Sequence, residues 1–482
     1  MRILVAVLLL LMSVTGCSRS VVKTLGNAQP SATSPAHLDN GLRQKIAAAP
    51  GRTVIIFVHG IGDHCPGYAI DRRLGWFSSD VVKTLGLKAV AAGKTDRLVV
   101  PDFDNGDEDS TLVLQRDRYT VGDDQKQVEA IEITWSGLDR WLKDNQLGYD
   151  LSTRRQPSPP PEKLKRGDEI LDCVKPVGGE FSQWRVPVNR VLKDGLLDRN
   201  LADAVIYAGS YGPVIERGVA DAMCRILKEE DWSGARATES CNWTTVPVDK
   251  TTRFLFVTHS LGSRIVYDTV LELRGTQMRP DSVVFKPSIV AAAAPAIDLL
   301  LRNTTAIYMM ANQLPMLGLA DARPETKSAN GGMPARGMLS APLITSAQEQ
   351  PLAETPAEHL NAQGSAWIEA TKGKSDPFVA FALARGEAIS REFVANSPTL
   401  DIIAFSDPND LLSYSLPDWY GRSAGLANVR VTNVFVKNSI RWFWLFENPA
   451  KAHSGYMTND DVWKAIACGA SSGMRPSCEQ AR

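Results

Sequence analysis

A serine lies where a predicted strand turns into a predicted helix, in the stretch FLFVTHSLGSRIVYD at residues 254–268. Residues 254–257 are apolar and strand-like, and apolar residues then recur at helical spacing until Gly275. A serine on so sharp a turn exposes its hydroxyl and can act as a nucleophile. The alternative is that Ser260 only caps the N-terminus of the helix, a frequent role of serine.

The residues two positions before and after Ser260 should be small, because a sharp turn brings backbone close on both sides. Gly262 meets this requirement. Thr258 stands where the pattern G-x-S-x-G has glycine, and a β-branched residue fits such a crowded position less easily. The pentapeptide alone therefore leaves the nucleophile and the helix-cap interpretations open.

A second glycine-rich turn, His-Gly-Ile-Gly at residues 59–62, follows the apolar, β-branched run Val54–Val58. Together with the serine turn, it resembles the oxyanion loop of the α/β-hydrolase superfamily. Small residues let such a loop approach the substrate and aim backbone N–H groups at a developing negative oxygen. The resemblance implies that the N–H groups of Ile61 and Leu261 form the oxyanion hole. It also implies that His59 organises the loop and is not the base.

The candidate base is His453, in the stretch Ala-His-Ser-Gly-Tyr at residues 452–456 after the last predicted strand. This stretch resembles the histidine loop of the superfamily's esterases, which implies that His453 is the general base. His259 adjoins the serine, and we expect its side chain to point away along the turn and to pack. His359 lies in a low-complexity segment with no strand before it.

Two aspartates follow the predicted strand 400–405 and are candidates for the acid that orients the histidine. In the superfamily the acid tends to precede two apolar residues, which matches Asp410. Asp407 precedes Pro408, and its alternative role is that of a turn residue. We favour Asp410 over Asp407. The chain order serine, aspartate, histidine is the order of the superfamily.

Short apolar runs alternate with helical patterns, which predicts an α/β fold with a mostly parallel sheet flanked by helices. In the terms of the resemblance, this is the α/β-hydrolase fold over residues 41–482. The predicted strands are 54–58, 128–134, 254–257, 289–294, 400–405 and 429–436, and the predicted helices are 201–229 and 263–274.

Two stretches do not fit this alternation, and we interpret them as large insertions that form a cap or lid. Residues 138–200 contain a proline-rich run, and residues 296–399 contain a section rich in Gly, Pro, Ala and Ser. Within the second, apolar residues between 299 and 319 could form a lid that holds acyl chains. The alternative, which we slightly favour, is that they form the inner face of a helical insertion.

The N-terminus resembles a bacterial lipoprotein signal. A basic residue precedes a short apolar run, and two small residues precede Cys17. The resemblance implies cleavage before Cys17 and its lipidation, with residues 1–17 as the signal peptide and 18–40 as a flexible tether. Ser18 resembles the pattern sorted to the outer membrane, so we expect a lipid-anchored protein facing the periplasm. The alternative is an ordinary signal peptide with a chance cysteine.

The composition restricts the partners and the chemistry. A net charge of −1 offers no field for nucleic acid. No Cys or His cluster has convincing metal spacing, so we expect no metal and no other cofactor. An exported chain meets an oxidising compartment, and short loops close at the smaller entropic cost. We therefore predict the disulfides Cys224–Cys241 and Cys468–Cys478, with Cys65 and Cys173 left over.

These expectations combine into a membrane-anchored serine hydrolase that cleaves carboxylic esters, an esterase or lipase whose substrate is an acyl ester or lipid. Ser260 would be the nucleophile, His453 the base and Asp410 the group that fixes its tautomer. The alternative class is a non-catalytic binding protein with the same fold, suggested by Thr258. Within enzymes, thioesterase and amidase are the alternatives, and the oligomeric state stays open.

Overall fold

The computed structural model describes most of the predicted sheet and its flanking helices. The described residues are 21–25, 41–72, 75–98, 111–151, 201–229, 236–247, 249–276, 284–318, 377–391, 398–417, 428–438 and 449–469, with scattered positions between 186 and 200.

The described strands form one mixed sheet of ten strands in the order β1-β10-β9-β8-β7-β2-β5-β4-β3-β6. The six central strands, from β10 to β5, run parallel to one another. The strands are β1 (Val21–Leu25), β2 (Thr53–Val58), β3 (Lys88–Leu98), β4 (Leu112–Val121), β5 (Lys126–Thr134), β6 (Arg236–Ala237), β7 (Arg253–His259), β8 (Thr304–Met310), β9 (Leu400–Ser406) and β10 (Val429–Phe435).

The central strands are buried on both faces, as continuous β-branched runs require. Every residue of β2, β8 and β9 is buried. Five of the six strands predicted from sequence are confirmed, and so is the mostly parallel α/β architecture. Because the carboxyl ends of parallel strands meet at one edge, the ends of β2, β7, β8 and β9 bring their loops together there.

Helices cover both faces of this sheet. They are α1 (Leu42–Ala48), α2 (Ser79–Thr84), α3 (Gly137–Leu151), α4 (Ala202–Ala208), α5 (Gly212–Lys228), α6 (Leu261–Arg274), α7 (Pro287–Asn303), α8 (Leu314–Leu317), α9 (Pro377–Arg391), α10 (Pro449–Ser454) and α11 (Asp460–Cys468).

Two hydrophobic cores lie on opposite faces of the sheet. Side chains of α5, α6, α7 and α9 pack on one face, and side chains of α1, α2 and α11 pack on the other. The helix predicted at 263–274 is confirmed and ends at Gly275, whose φ of 93° suits glycine. The helix predicted at 201–229 is present as two helices, α4 and α5.

The strand predicted at 289–294 is wrong, because these residues lie inside helix α7. The run from Ile289 contains four consecutive alanines, which favour a helix, and Pro287 occupies the first turn. The strand of this region is β8, which begins directly after the helix.

The lid interpretation of residues 299–310 is also wrong. Leu299 to Leu301 belong to α7, and Ile307 to Met310 belong to β8, which lies between β7 and β9 in the centre of the sheet. The predicted insertion 296–399 therefore does not begin at 296. Residues 319–376 and most of 152–200 lie outside the described residues, and the cap stays a prediction there.

Two further strand features were not predicted. Strands β3 and β4 form an antiparallel extension next to β5. Strand β1 lies within the predicted tether 18–40 and pairs antiparallel with β10, so that this part of the tether forms an edge strand of the sheet.

The predicted disulfide Cys224–Cys241 is confirmed, with 6.0 Å between the two Cα atoms. Cys65 and Cys468 are also disulfide-bonded. Cys173 and Cys478 lie outside the described residues, so the predicted Cys468–Cys478 pair stays a prediction.

Candidate active site

Ser260 occupies the tight turn between β7 and α6. Its φ of 52° and ψ of −124° are rare for a residue with a side chain. Its backbone N–H donates to the carbonyl oxygen of Met310 at the end of β8, at 2.8 Å. Such conformations persist only where neighbouring structure holds them, and they cluster at functional sites. The Ser260 side chain is buried, and its hydroxyl has no hydrogen-bond partner among the described residues.

Two glycines allow the 59–62 loop to lie directly against this turn. A Cβ atom on Gly60 would lie 2.4 Å from the Cβ atom of Ser260. A Cβ atom on Gly262 would lie 2.4 Å from the carbonyl oxygen of His59. Real Cβ contacts of this length do not occur, so glycine is required at both positions for steric reasons.

Thr258 fits the position at which the motif usually has glycine. It is fully buried, and its hydroxyl lies 2.7 Å from the Ser263 hydroxyl. It also donates to the carbonyl oxygen of Tyr308 at 3.2 Å. The β-branched side chain is therefore accommodated with its polar atom satisfied.

His59 organises the loop, as expected from the sequence. Its Nδ1 donates to the carbonyl oxygen of Gly60 at 2.8 Å, and its Nε2 accepts from the backbone N–H groups of Trp135 at 3.0 Å and Ser136 at 3.3 Å. The imidazole stacks on the Trp135 indole at a centroid distance of 4.7 Å. Burial, with the nearby His64 adding to it, lowers the pKa of His59 well below its ordinary value. The ring is therefore neutral, and both nitrogens are used in holding the backbone.

The Ile61 N–H, the expected oxyanion donor, is not used by the hydrogen bonds that hold the loop. A trans peptide points its C=O and its N–H in opposite directions. His59 binds the Gly60 carbonyl on one side, and the Ile61 N–H of the same peptide has no hydrogen-bond partner among the described residues. The next N–H, that of Gly62, is occupied by Asp203 Oδ2 at 2.6 Å. Leu261 begins α6, so the helix does not use its N–H.

The structure brings His453 and Asp410 together. His453 Nδ1 lies 3.0 Å from both carboxylate oxygens of Asp410. Oδ1 also accepts from the Leu412 N–H at 3.0 Å, and Oδ2 accepts from the Tyr456 hydroxyl at 3.1 Å. The carboxylate is therefore fixed by three neighbours, and it orients the imidazole so that Nε2 has no partner among the described residues.

Asp407 has a different set of partners. Its Oδ1 accepts from the backbone N–H of Asn409 at 2.9 Å, and its Oδ2 accepts from that of Asn438 at 2.6 Å. These bonds close the turn after β9 and tie it to the segment after β10. Of the two aspartates, Asp410 contacts His453 and Asp407 holds the loop.

His259 connects the serine turn to the histidine loop, a contact that the sequence did not predict. Its Nε2 donates to the carbonyl oxygen of His453 at 3.1 Å, and the two rings lie 5.0 Å apart. The ring also packs on Trp76, so the expected packing role is present as well. His259, the residue before Ser260, therefore ties the serine turn to the backbone of His453. The Ser260 Oγ and His453 Nε2 share no hydrogen bond, and such pairs often tighten only on substrate binding.

Two residues that hold the candidate site in place were not predicted from the sequence. Tyr456 holds the Asp410 carboxylate, and it lies three residues after His453, so its place in the stretch 452–456 was the available signal. Asp203 binds the loop from 141 residues away, and nothing local marks it.

Comparison with known proteins adds no assignment. No protein-family model, no curated protein and no solved structure matches the chain.

Other predicted features can be placed only in part. Cys17 and His359 lie outside the described residues. In the ranges that the structure does describe, no helix is long and apolar enough to cross a membrane, and no group of three or more His, Cys, Asp or Glu side chains is arranged to hold a metal ion.

Proposed function

We propose that the protein is a serine hydrolase that cleaves carboxylic esters through Ser260, His453 and Asp410. The observation that carries the proposal is the contact of His453 Nδ1 with the buried Asp410 carboxylate, which leaves Nε2 without a partner among the described residues, while Ser260 lies on a strained turn with its hydroxyl also unpartnered there. A carboxylate in this position selects the tautomer with the proton on Nδ1 and stabilises the imidazolium that forms during reaction.

The first half of the reaction would form an acyl-enzyme. His453 Nε2 takes the Ser260 proton as Oγ attacks the ester carbonyl carbon, and the electron pair of the carbonyl moves onto its oxygen. The N–H groups of Ile61 and Leu261 then stabilise the negative oxygen. When the tetrahedral intermediate collapses, the C–O bond to the alcohol breaks and His453 returns the proton to the leaving oxygen.

The second half would release the acid. Water attacks the acyl carbon and gives a proton to His453, and the intermediate collapses to expel Ser260 Oγ, which recovers that proton. No electron is exchanged, and the sum is an ester plus water giving an acid plus an alcohol. Thioesters and amides can follow the same steps.

The non-catalytic alternative rested on Thr258, whose hydroxyl is satisfied and whose side chain leaves the strained turn in place. The binding-protein hypothesis therefore gains no support from this residue.

The experiment is hydrolysis of an acyl ester series of graded chain length by the purified protein, with thioester and amide analogues in parallel. We expect turnover of at least one ester and a loss of about 10⁴-fold or more in Ser260→Ala. Ser79→Ala, which alters an exposed serine bonded to the Arg72 carbonyl, is the matched control and should keep wild-type turnover. Absence of Ser260-dependent turnover on all three substrate classes would contradict the proposal.

We also propose that a lipid on Cys17 attaches the protein to the envelope, on the outer membrane facing the periplasm. The support is the signal-like sequence at residues 1–17. Cys17→Ser should leave the protein soluble or unprocessed in cell fractionation. A processed Cys17→Ser protein that still sediments with membranes would contradict the anchor.

A further inference from the structure

A buried charged cluster lies beside the 59–62 loop. Lys143 of α3 places its ammonium group 2.6 Å from Asp203 Oδ1, 2.9 Å from Asp63 Oδ1 and 3.8 Å from Asp139 Oδ1. The Lys143 side chain is 1% exposed, and those of Asp139 and Asp203 are fully buried. Burying such charged groups costs free energy, so we ask which specific role the cluster has.

The cluster reaches the loop through Asp203. While Oδ1 binds Lys143, Oδ2 accepts the Gly62 N–H at 2.6 Å. The carbonyl oxygen of the same peptide, that of Ile61, lies 3.3 Å from His64 Nε2. The peptide between Ile61 and Gly62 is thus held at both ends, and Lys143 also binds the next residue, Asp63.

This arrangement fixes the adjacent peptide as well. His59 holds the Gly60 carbonyl, so two consecutive peptide planes on either side of Ile61 are pinned by side chains. The Ile61 N–H lies between these anchors and is the group without a partner among the described residues. Oxyanion donors work best when their direction is set before the reaction begins.

Lys143 holds the Asp203 carboxyl group that binds the Gly62 N–H. Burial disfavours a charged ammonium, but the three surrounding carboxyls outweigh it and hold the pKa of Lys143 above its ordinary value. Burial raises the pKa of Asp203, and the neighbouring Lys143 works against that rise. The 2.6 Å contact of Lys143 with Oδ1 holds the carboxyl group while Oδ2 accepts the Gly62 N–H.

We infer that Asp203, supported by Lys143, is a positioning residue that presets the Ile61 N–H for oxyanion stabilisation. The inference rests on the proposed hydrolase function. Asp203 touches the loop backbone and acts through it, so its loss should alter the transition state more than the binding of substrate.

Substitutions of Asp203 separate an acceptor role from a simple core role. Asp203→Asn keeps an oxygen that can accept the Gly62 N–H, whereas Asp203→Leu keeps similar size without an acceptor. Asp203→Ala is a smaller variant, also without an acceptor, in case the leucine variant does not fold. Asp198→Leu is the matched control, because Asp198 is also a buried aspartate paired with a lysine, Lys193 at 2.8 Å, and has no hydrogen bond to the loop among the described contacts.

The measurement compares kcat and KM for an oxo ester and for the matching thionoester, whose C=S group is a weak hydrogen-bond acceptor. We expect Asp203→Leu or Asp203→Ala to lower kcat for the oxo ester about 10²-fold with KM little changed, as loss of one oxyanion donor does. The thionoester rate should fall much less, so the oxo-to-thiono ratio should drop. Asp203→Asn should keep most of the ratio, and Asp198→Leu should leave it unchanged.

The outcomes distinguish failure of the Asp203 positioning role from failure of the proposed hydrolase function. If Ser260→Ala abolishes turnover while the Asp203 variants keep the wild-type ratio, the positioning role is wrong and the hydrolase function stands. An equal fall of both rates in the Asp203 variants would also overturn it, because that is the signature of a merely structural residue. If the wild-type protein shows no Ser260-dependent turnover, the proposed function itself fails.

Discussion

The two sides of Ser260 are built in the same way from different parts. On one side a buried carboxylate, Asp410, holds a side chain, His453, and leaves the imidazole Nε2 without a partner. On the other side a buried carboxylate, Asp203, holds a backbone peptide and leaves the Ile61 N–H without a partner. On each side, a carboxyl group with both oxygens hydrogen-bonded orients one nitrogen, His453 Nε2 or the Ile61 backbone N.

The difference lies in what is held. In the proposed reaction the imidazole gains and loses a proton, so the Asp410 side depends on the charge of the carboxylate. The peptide N–H keeps its proton throughout, so the Asp203 side depends on geometry. An aspartate-to-asparagine change, which removes only the charge, should therefore lower kcat far more at Asp410 than at Asp203.

The largest expected effect is that of Asp410→Asn. The amide keeps the shape of the side chain but favours the wrong tautomer of His453, a change that costs about 10⁴-fold in kcat in serine proteases. We expect a loss of this order with KM little changed, measured by steady-state kinetics on the best ester.

Asp407→Asn is its matched control. Asp407 accepts from Asn409 and Asn438, so the change should cost about 1–3 kcal/mol of unfolding free energy and leave most of kcat. The reverse pattern in the two variants would make Asp407 the triad acid.

The next effect tests the contact between the 59–62 loop and Ser260. In Gly60→Ala the new Cβ would lie 2.4 Å from that of Ser260, so the loop must move away from the serine. We expect kcat to fall about 10²-fold, comparable to the loss of an oxyanion donor, with a lower Tm. Gly318→Ala is the control, because its φ is −61° and no atom of the described residues lies within 4 Å of the added Cβ. Unchanged kcat in Gly60→Ala would show that loop and serine are not coupled.

A smaller effect concerns stability and pH. Burial lowers the pKa of His64 to about 4, so between pH 6.5 and 4 the unfolded chain binds a proton at this residue that the folded protein does not. The contribution of His64 to stability is therefore present above pH 6.5 and is lost as the pH falls towards 4, at about 1.4 kcal/mol per pH unit. His64→Gln should flatten the wild-type slope of unfolding free energy against pH by about this amount.

Glu132 should act with the opposite sign. Its carboxylate accepts from Gly67, Ala69 and Ile70 next to the loop, and burial raises its pKa to about 7. The stability linked to this shift is present below pH 4.5 and is lost as the pH rises to 7. Urea denaturation from pH 4 to 8 checks both variants. Equal slopes in wild type, His64→Gln and Glu132→Gln would contradict the assignment.

The smallest effect is that of Thr258→Val, which keeps the shape and removes the hydroxyl contacts to Ser263 and Tyr308. We expect a loss of about 1–2 kcal/mol in unfolding free energy and a kcat within a few-fold of wild type. Thr84→Val, at an exposed hydroxyl, is the control for stability. A severe loss of kcat without a loss of stability would give Thr258 a role in the reaction.

Local sequence patterns predicted the parts of the site that follow strands. Ser260 and the 59–62 loop come directly after strands, Asp410 lies in the loop after β9, and parallel pairing brings those strand ends together. Asp410 and His453 were expected from the resemblance to the superfamily, and the structure brings their side chains into contact.

Longer-range or ambiguous patterns were beyond sequence analysis. Strand β8 is a short apolar run between polar segments and has no periodicity to distinguish it from a buried helix. Asp203 and Lys143 lie on helices 60 residues apart in the chain, and their meeting is a product of packing. The alanine-rich run after Ile289 was misassigned because its hydrophobicity outweighed its helix propensity.

The most direct test that Ser260 is an activated nucleophile is covalent labelling of the folded protein with a fluorophosphonate, followed by peptide mass spectrometry. We expect a single adduct on Ser260 in the wild-type protein, slower labelling in Asp410→Asn and none in Ser260→Ala. An unlabelled wild-type protein, or an adduct that persists in Ser260→Ala, would contradict the claim that Ser260 is an activated nucleophile.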